Sequence, residues 1–304
     1  MVITLIYQNK YSLTRFFLLN TIHIRMCLER GMSTVKEAGK LLNAAGHETH
    51  YFDVGQGKPL FLLHGSGPGV SGWTNWSGVM DELGQSFRVI VPDIAGFGFT
   101  EFKEDSKYDI KLWVRHLVGI MDELGIERAS FVGNSFGGAL SIGLATAHPE
   151  RVEKLVLLGT PAGQFEQTAG LRSAWEYEPS LANMERTLRL FPYDQTIITP
   201  QMIQSRFEAS ARPGAQDALR KLIPRPNVDG PTMVKGFPEH IVSSIQAPTL
   251  VLHGREDKVV PPSCGELLAR AIPNADLHLF GCCGHWVQTE RRADFLRLVS
   301  HFCA

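Results

Sequence analysis

The chain reads as an α/β protein: a mostly parallel sheet with helices on both sides. Three observations point there. From residue 49 onward, short apolar runs alternate with helix-period segments, the rhythm of strand–helix–strand units. The later runs are near-continuous Val, Leu and Ile, as expected of strands buried on both faces. One run passes directly into a glycine-flanked turn and a small-residue helical segment at 133–147.

The first expected strand, 49–54, is rich in aromatic and β-branched residues. The next, 60–63, is Leu-Phe-Leu-Leu and stops at His64-Gly65-Ser66-Gly67-Pro68-Gly69. Strands follow at 88–91, 129–132, 154–158, 249–252 and 276–280. Helices are expected between them at 73–83, 110–124, 136–147, 263–271 and 289–302. The rhythm breaks between 161 and 242. That stretch is helix-like, punctuated by Pro179, Pro192, Pro200, Pro213, Pro224, Pro226, Pro231 and Pro238. It is expected to be a helical lid over the carboxyl ends of the strands, where open α/β sheets bind ligands. The organisation expected is an extension at 1–31, a core formed by 32–160 and 243–304, and a lid at 161–242.

At 304 residues and 44% apolar, the chain can bury a large core. A net charge of −1 and a pI near 6.8 give no electrostatic case for nucleic acid or an anionic membrane. Five cysteines without zinc-type spacing argue for a reducing, cytoplasmic setting. Cys282 and Cys283 are expected as two buried thiols. Up to Leu28 the chain holds Lys10, Arg15 and Arg25 but no acid. This stretch is too short and polar to span a bilayer and lacks a signal cleavage site. Residues 1–31 are expected to be dispensable upstream sequence.

The motif Gly133-Asn134-Ser135-Phe136-Gly137 fits a nucleophile elbow, a sharp strand-to-helix turn that lifts a serine hydroxyl above the sheet. Taken alone, the string is equally compatible with a glycine-rich turn. A serine nucleophile needs a base, and the base an orienting acid. With an elbow the chain order is Ser, acid, His. Asp257, in His253-Gly254-Arg255-Glu256-Asp257, follows the strand at 249–252, and His285, in Gly284-His285-Trp286, follows the strand at 276–280. Glu256 is the rival acid and is read as a solvated loop residue. The strand at 154–158 ends without a carboxylate, which favours Asp257. The oxyanion donors expected are the Phe136 N–H and an N–H from the loop 64–69. No metal or cofactor is called for.

These residues resemble one family. His64-Gly65-Ser66-Gly67-Pro68-Gly69 with Gly72-Trp73-Thr74-Asn75-Trp76, the elbow, His253–Asp257 and Cys283-Gly284-His285-Trp286 are similar to the signatures of the meta-cleavage product hydrolases. These enzymes of the α/β-hydrolase fold cut carbon–carbon bonds in ring-fission products of catechols. The resemblance runs from about residue 45 to the C-terminus and implies an eight-stranded sheet. It implies a triad of Ser135, Asp257 and His285, with oxyanion N–H groups from Ser66 and Phe136. Asn75, Asn134 and Trp286 would contact substrate, and Arg212 on the lid would face its carboxylate. Outside the resemblance, Arg212 also reads as a surface charge, Trp286 as core and Asn75 as a helix-terminal residue.

The reaction implied is hydrolysis of the C5–C6 bond of a 2-hydroxy-6-oxohexa-2,4-dienoate in aromatic catabolism. The example substrate is 2-hydroxymuconic semialdehyde, giving 2-hydroxypenta-2,4-dienoate and formate; a 6-alkyl or 6-aryl analogue is the other form. The partner is this small-molecule dienoate, and a homo-oligomer is in keeping with the family. The alternatives are a general carboxylester hydrolase and a non-catalytic ligand receptor of the same fold. A dehalogenase or epoxide hydrolase of this fold would carry Asp in place of Ser135.

Overall fold

In the computed structural model, which describes residues 38–222 and 231–304, the apolar runs form one sheet. Its strands begin with β1 (Lys40–Ala44), β2 (His47–Val54), β3 (Pro59–Leu63), β4 (Arg88–Pro92), β5 (Ala129–Asn134) and β6 (Val152–Leu158). Two short strands, β7 (Gln164–Glu166) and β8 (Met233–Lys235), pair antiparallel as a separate ribbon. The large sheet is completed by β9 (Thr249–Gly254) and β10 (Ala275–Phe280), in the order β1-β2-β4-β3-β5-β6-β9-β10. The β1–β2 and β2–β4 pairings are antiparallel and the others parallel. Leu60, Phe61, Leu62 and Leu63 are each 0% exposed, so the middle of the sheet is covered on both faces.

The helix Ile110–Glu123 packs through Leu112, Trp113, His116, Leu117, Ile120 and Met121, a stripe at helical spacing. Asp109 caps it, accepting from the N–H groups of Lys111 and Leu112. The helix Phe136–Ala147 is apolar on nearly every side and buried along most of its length. Its small residues allow close contact: a Cβ on Gly138 would lie 1.9 Å from Thr160 Oγ1.

Several elements differ from the sequence expectation. β10, expected as an apolar strand buried on both faces, is an edge strand that is mostly exposed, with Leu277 36% and Leu279 39% exposed. β1 carries no apolar run because it is mostly exposed at the sheet edge, with Leu41 52% exposed. The segment 73–83 is two short helices, Gly72–Trp76 and Met80–Leu83, separated at Ser77–Val79, where Gly78 disfavours continuation. The last helical segment is likewise divided, into Val287–Glu290 and Arg292–Cys303.

Between β6 and β9 lie the helices Ala169–Trp175, Leu181–Leu188, Pro200–Ser210, Ala215–Leu222 and Glu239–Val242. Thr168, Ser180 and Thr199 cap the first three by accepting a backbone N–H. The β7–β8 ribbon is a departure from the helical reading of this stretch. Residues 1–31, with Cys27, lie outside the described residues. The four cysteines described are free thiols. Cys283 is buried as expected, but Cys282 is exposed, on a left-handed turn at φ 54. No helix among the described residues is long and apolar enough to cross a membrane.

Candidate active site

Ser135 stands where β5 turns into the helix Phe136–Ala147, at φ 54 and ψ −112. A non-glycine residue in such a backbone stores about 1–3 kcal/mol of strain and persists only where its surroundings over-determine it. Here they do. The Ser135 N–H donates to Leu158 O at 2.7 Å. A Cβ on Gly133 would lie 2.4 Å from the Gly137 backbone, and one on Gly137 would lie 2.1 Å from Leu63 O. Only glycine fits on either side of the serine.

The acid and base arrive from the two strands beyond β6. His285 Nδ1 lies 2.7 Å from Asp257 Oδ2, both side chains being buried. The Val259 and Val260 N–H groups donate to Asp257 Oδ1 at 2.7 and 2.9 Å. Burial by itself raises the Asp257 carboxyl, but the interaction with His285 and the hydrogen bonds from His253 and His285 outweigh it and hold the group well below the usual carboxylate range. His285 Nδ1 therefore donates to a carboxylate, which leaves Nε2 as the basic nitrogen. Gly159 follows the carbonyl that holds Ser135, and a Cβ on it would come 2.9 Å from His285 Nδ1. Leu158 and Gly159 thus support nucleophile and base together. The Ser135 hydroxyl has no hydrogen-bond partner among the described residues; catalytic hydrogen bonds often tighten only around substrate. Glu256 turns away from this pair, paired with Arg255 and accepting the Cys283 N–H.

The glycine loop lies against the serine: a Cβ on Gly65 would be 3.6 Å from Ser135 Cβ. His64 fixes this loop. Its Nδ1–H donates to Gly65 O at 2.7 Å and its Nε2 accepts the Ile94 N–H at 3.0 Å. Burial, opposed by Asp93 and the Gly65 hydrogen bond and reinforced by the Arg206 charge, lowers the His64 pKa. Because a peptide is planar and trans, anchoring the Gly65 carbonyl also fixes the direction of the Ser66 N–H. Phe136 packs its ring on Phe97 and Trp113 and presents its backbone N–H at the helix start.

Ser66, Asn75, Asn134, His285 and Trp286 line one pocket, with Leu188 and Phe191 from the inserted segment. Asn75 Oδ1 accepts the Gly65 N–H at 3.3 Å, while its Nδ2 is buried without a partner. Asn134 Nδ2 reaches the carbonyls of Leu158 and His285, each at 3.4 Å. The Trp286 ring packs on Phe191.

Arg212 is not part of this pocket. Its guanidinium lies over the Phe99 ring, 4.5 Å from the centroid, and its Nε donates to Ala209 O. The arginine in the pocket is Arg206, which the sequence reading missed. It is buried, and Nη1 donates to Thr74 Oγ1 at 2.8 Å and to Gly69 O at 3.3 Å. No carboxylate among the described residues pairs with it. Burial lowers it to about 10, so it remains charged at neutral pH. A buried, unneutralised cation is costly and marks a place for an anionic group. Its signal in the sequence is a charge on the buried stripe of the helix Pro200–Ser210, in register with Met202, Ala209 and Ser210.

Comparison with known proteins agrees with this geometry. Residues 58–291 match a family model described as the alpha/beta hydrolase fold. The chain is 44% identical to the 2-hydroxy-6-oxo-2,4-heptadienoate hydrolase of Pseudomonas putida, across 88% of this chain and 97% of that protein. It is also 44% identical to the 2-hydroxymuconate semialdehyde hydrolase of Pseudomonas sp. strain CF600, across 88% of this chain and 94% of that protein. The solved meta-cleavage product hydrolase of Pseudomonas fluorescens IP01 superposes with a TM-score of 0.83 at 43% identity, covering 88% of this chain and 97% of that one. The elbow, the buried His–Asp pair and these relatives converge: the chain belongs to the α/β-hydrolase family and, within it, to the meta-cleavage product hydrolases.

Proposed function

We propose that this protein hydrolyses the C5–C6 bond of a 2-hydroxy-6-oxohexa-2,4-dienoate with a small C6 substituent, hydrogen or methyl. The observation that carries this reading is Arg206, a buried and unneutralised guanidinium in the same pocket as His285. A simple ester needs no such group; a dienoate brings a carboxylate and an adjacent 2-oxygen for a planar cation to grip. The relatives' substrates, a heptadienoate and a muconate semialdehyde, support the small substituent.

The chemistry follows from the two ends of the substrate. At one end Arg206 binds the carboxylate and 2-oxygen and stabilises dienolate charge. The enol proton leaves O2 and a proton is placed on C5, giving the keto form. At the other end C6 meets Ser135, with the Ser66 and Phe136 N–H groups as donors to its oxygen. His285, oriented by Asp257, removes the proton of the attacking hydroxyl. The C5–C6 bond then breaks, its electron pair returning to the dienol, which takes the proton held by His285. A water molecule, deprotonated in turn by His285, displaces the acyl group from Ser135, the serine recovers its proton, and C6 leaves as a carboxylic acid. The unpartnered Asn75 Nδ2 supplies a further polar contact to the substrate. Arg212 is thereby moved from substrate binding to a role in holding the inserted segment against Phe99.

The test is product identification. Purified protein with 2-hydroxymuconic semialdehyde or its 6-methyl analogue should release 2-hydroxypenta-2,4-dienoate with one equivalent of formate or acetate. Intact dienoate after prolonged incubation, with nitrophenyl esters cleaved, would transfer the function to the carboxylesterase reading.

A further inference from the structure

His253, near the end of β9, is fully buried four residues before Asp257. Its Nε2 lies 3.0 Å from Val260 O and 3.4 Å from Asp257 Oδ2. Its Nδ1 is buried with no hydrogen-bond partner among the described residues and is crowded by Gly265 of the helix Pro262–Ala271, where a Cβ would lie 2.7 Å from it. A proton on Nδ1 would be buried without an acceptor, a loss of about 1–3 kcal/mol. The ring proton therefore sits on Nε2, where a carbonyl and a carboxylate oxygen converge.

This places one N–H at the centre of the acid's support. Val260 offers its carbonyl to His253 and its own N–H to Asp257 Oδ1. The imidazole thus closes the turn 257–260 whose N–H groups hold Oδ1, and its proton lies beside Oδ2, the oxygen that faces His285. We propose that His253 is a positioning residue for the triad acid, holding the Asp257 loop and carboxylate in the orientation that His285 requires. The inference rests on reading Ser135, His285 and Asp257 as a working triad. His253 is not among the residues that line the pocket, so it acts on turnover and not on binding. Gly265 belongs to the same device, because a side chain there would push the ring off its acceptors.

Three variants test it. His253→Phe keeps a ring and removes the donor. His253→Gln places an amide N–H near the position of Nε2. Gly265→Ala presses on Nδ1 without altering any hydrogen-bonding side chain. kcat and KM are measured on the dienoate and on a nitrophenyl ester, together with the low-field proton NMR resonance of the His285–Asp257 hydrogen bond. His253→Phe should lower kcat about tenfold or more on both substrates, with KM near the wild-type value and the low-field resonance displaced. His253→Gln should restore most of the turnover, and Gly265→Ala should show a partial loss of the same kind. Wild-type kcat and an unmoved resonance in His253→Phe and Gly265→Ala would overturn the proposal. So would equal losses in His253→Phe and His253→Gln with the resonance unmoved in both. If His253→Phe does not fold, Gly265→Ala decides: an unchanged kcat and resonance overturns the proposal, a partial loss with a displaced resonance supports it. Should the wild-type protein cleave only the ester, the dienoate reading fails by itself, and the same comparison on the ester still decides the role of His253.

Discussion

Arg206 of the inserted segment donates from Nη1 to Oγ1 of Thr74, at 2.8 Å, on the short helix that follows the glycine loop. Thr74 Oγ1 also accepts the Ser71 N–H and completes the capping box of that helix. One threonine thus ties the cationic end of the pocket to the element that carries Asn75.

Replacing Arg206 by Met should therefore damage dienoate turnover selectively. A charge-assisted contact to a buried carboxylate contributes about 1.5–3 kcal/mol, roughly ten- to a hundredfold in kcat/KM. Nitrophenyl ester cleavage should fall much less. Arg212→Ala should leave the ratio of the two activities near wild type, since its guanidinium rests on Phe99. A drop in that ratio for Arg212→Ala, with none for Arg206→Met, would restore Arg212 as the substrate arginine.

Ser135→Ala, Asp257→Asn and His285→Ala should each abolish most turnover while leaving the fold and dienoate binding intact. Losses on the order of 10⁴-fold for the acid and about 10⁶-fold for the serine or histidine are usual in such a triad. Binding is checked by the spectral shift of the dienolate on addition of the inactive protein. Near-wild-type rates in any one of them would remove that residue from the triad.

The elbow itself predicts a folding defect. Gly137→Ala would put a methyl group 2.1 Å from Leu63 O, where backbone and not a flexible side chain must give way. Overpacking of this kind costs about 1–3 kcal/mol or more. Thermal melts should show a clear loss of stability, larger than for Gly78→Ala, where a Cβ meets nothing within 4 Å. Equal melting temperatures for the two variants would contradict the packing described.

Stability should also fall in mild acid because of His116. The ring is fully buried, its Nε2 lies 2.8 Å from Thr49 Oγ1, and its Nδ1 has no partner. Thr49 gives its own proton to His47 O, so His116 donates from Nε2. Burial, helped by His47 and His64, lowers its pKa from 6.5 to about 3. Between those values the unfolded chain binds a proton that the folded chain refuses, so this contribution is complete above pH 6.5 and is lost progressively down to about 3. His116→Gln keeps a donor for Thr49 but does not titrate. Urea denaturation above and within that window should show a smaller acid loss in the variant than in the wild type. Identical pH slopes would exclude His116 as the source.

Ser135 and Asp257 stand out in the sequence because each follows an apolar strand, and His285 because it follows the last strand in a glycine-flanked loop; strand ends in a parallel sheet share one edge. The glycines around Ser135 are legible for the same local reason, a backbone that admits no Cβ. The arginine is different. Arg206 and Arg212 sit six residues apart on one helical stretch and the turn that follows, and only the packing of the inserted segment determines which of them faces inward. β7 and β8 have three residues each, too few to show a period, and they pair across a long separation in sequence. β1 is hidden because an exposed edge strand needs no apolar run. His253 is plain in the sequence as a histidine, but its role depends on which ring nitrogen meets Val260 and Asp257.

The most direct test is the ratio of kcat/KM for a 2-hydroxy-6-oxohexa-2,4-dienoate to that for a nitrophenyl ester, followed by bleaching of the yellow dienolate. The wild-type protein should favour the dienoate strongly, and Arg206→Met should collapse that preference while Ser135→Ala removes both activities. A wild-type protein that prefers the ester, with a ratio indifferent to Arg206, would contradict the account.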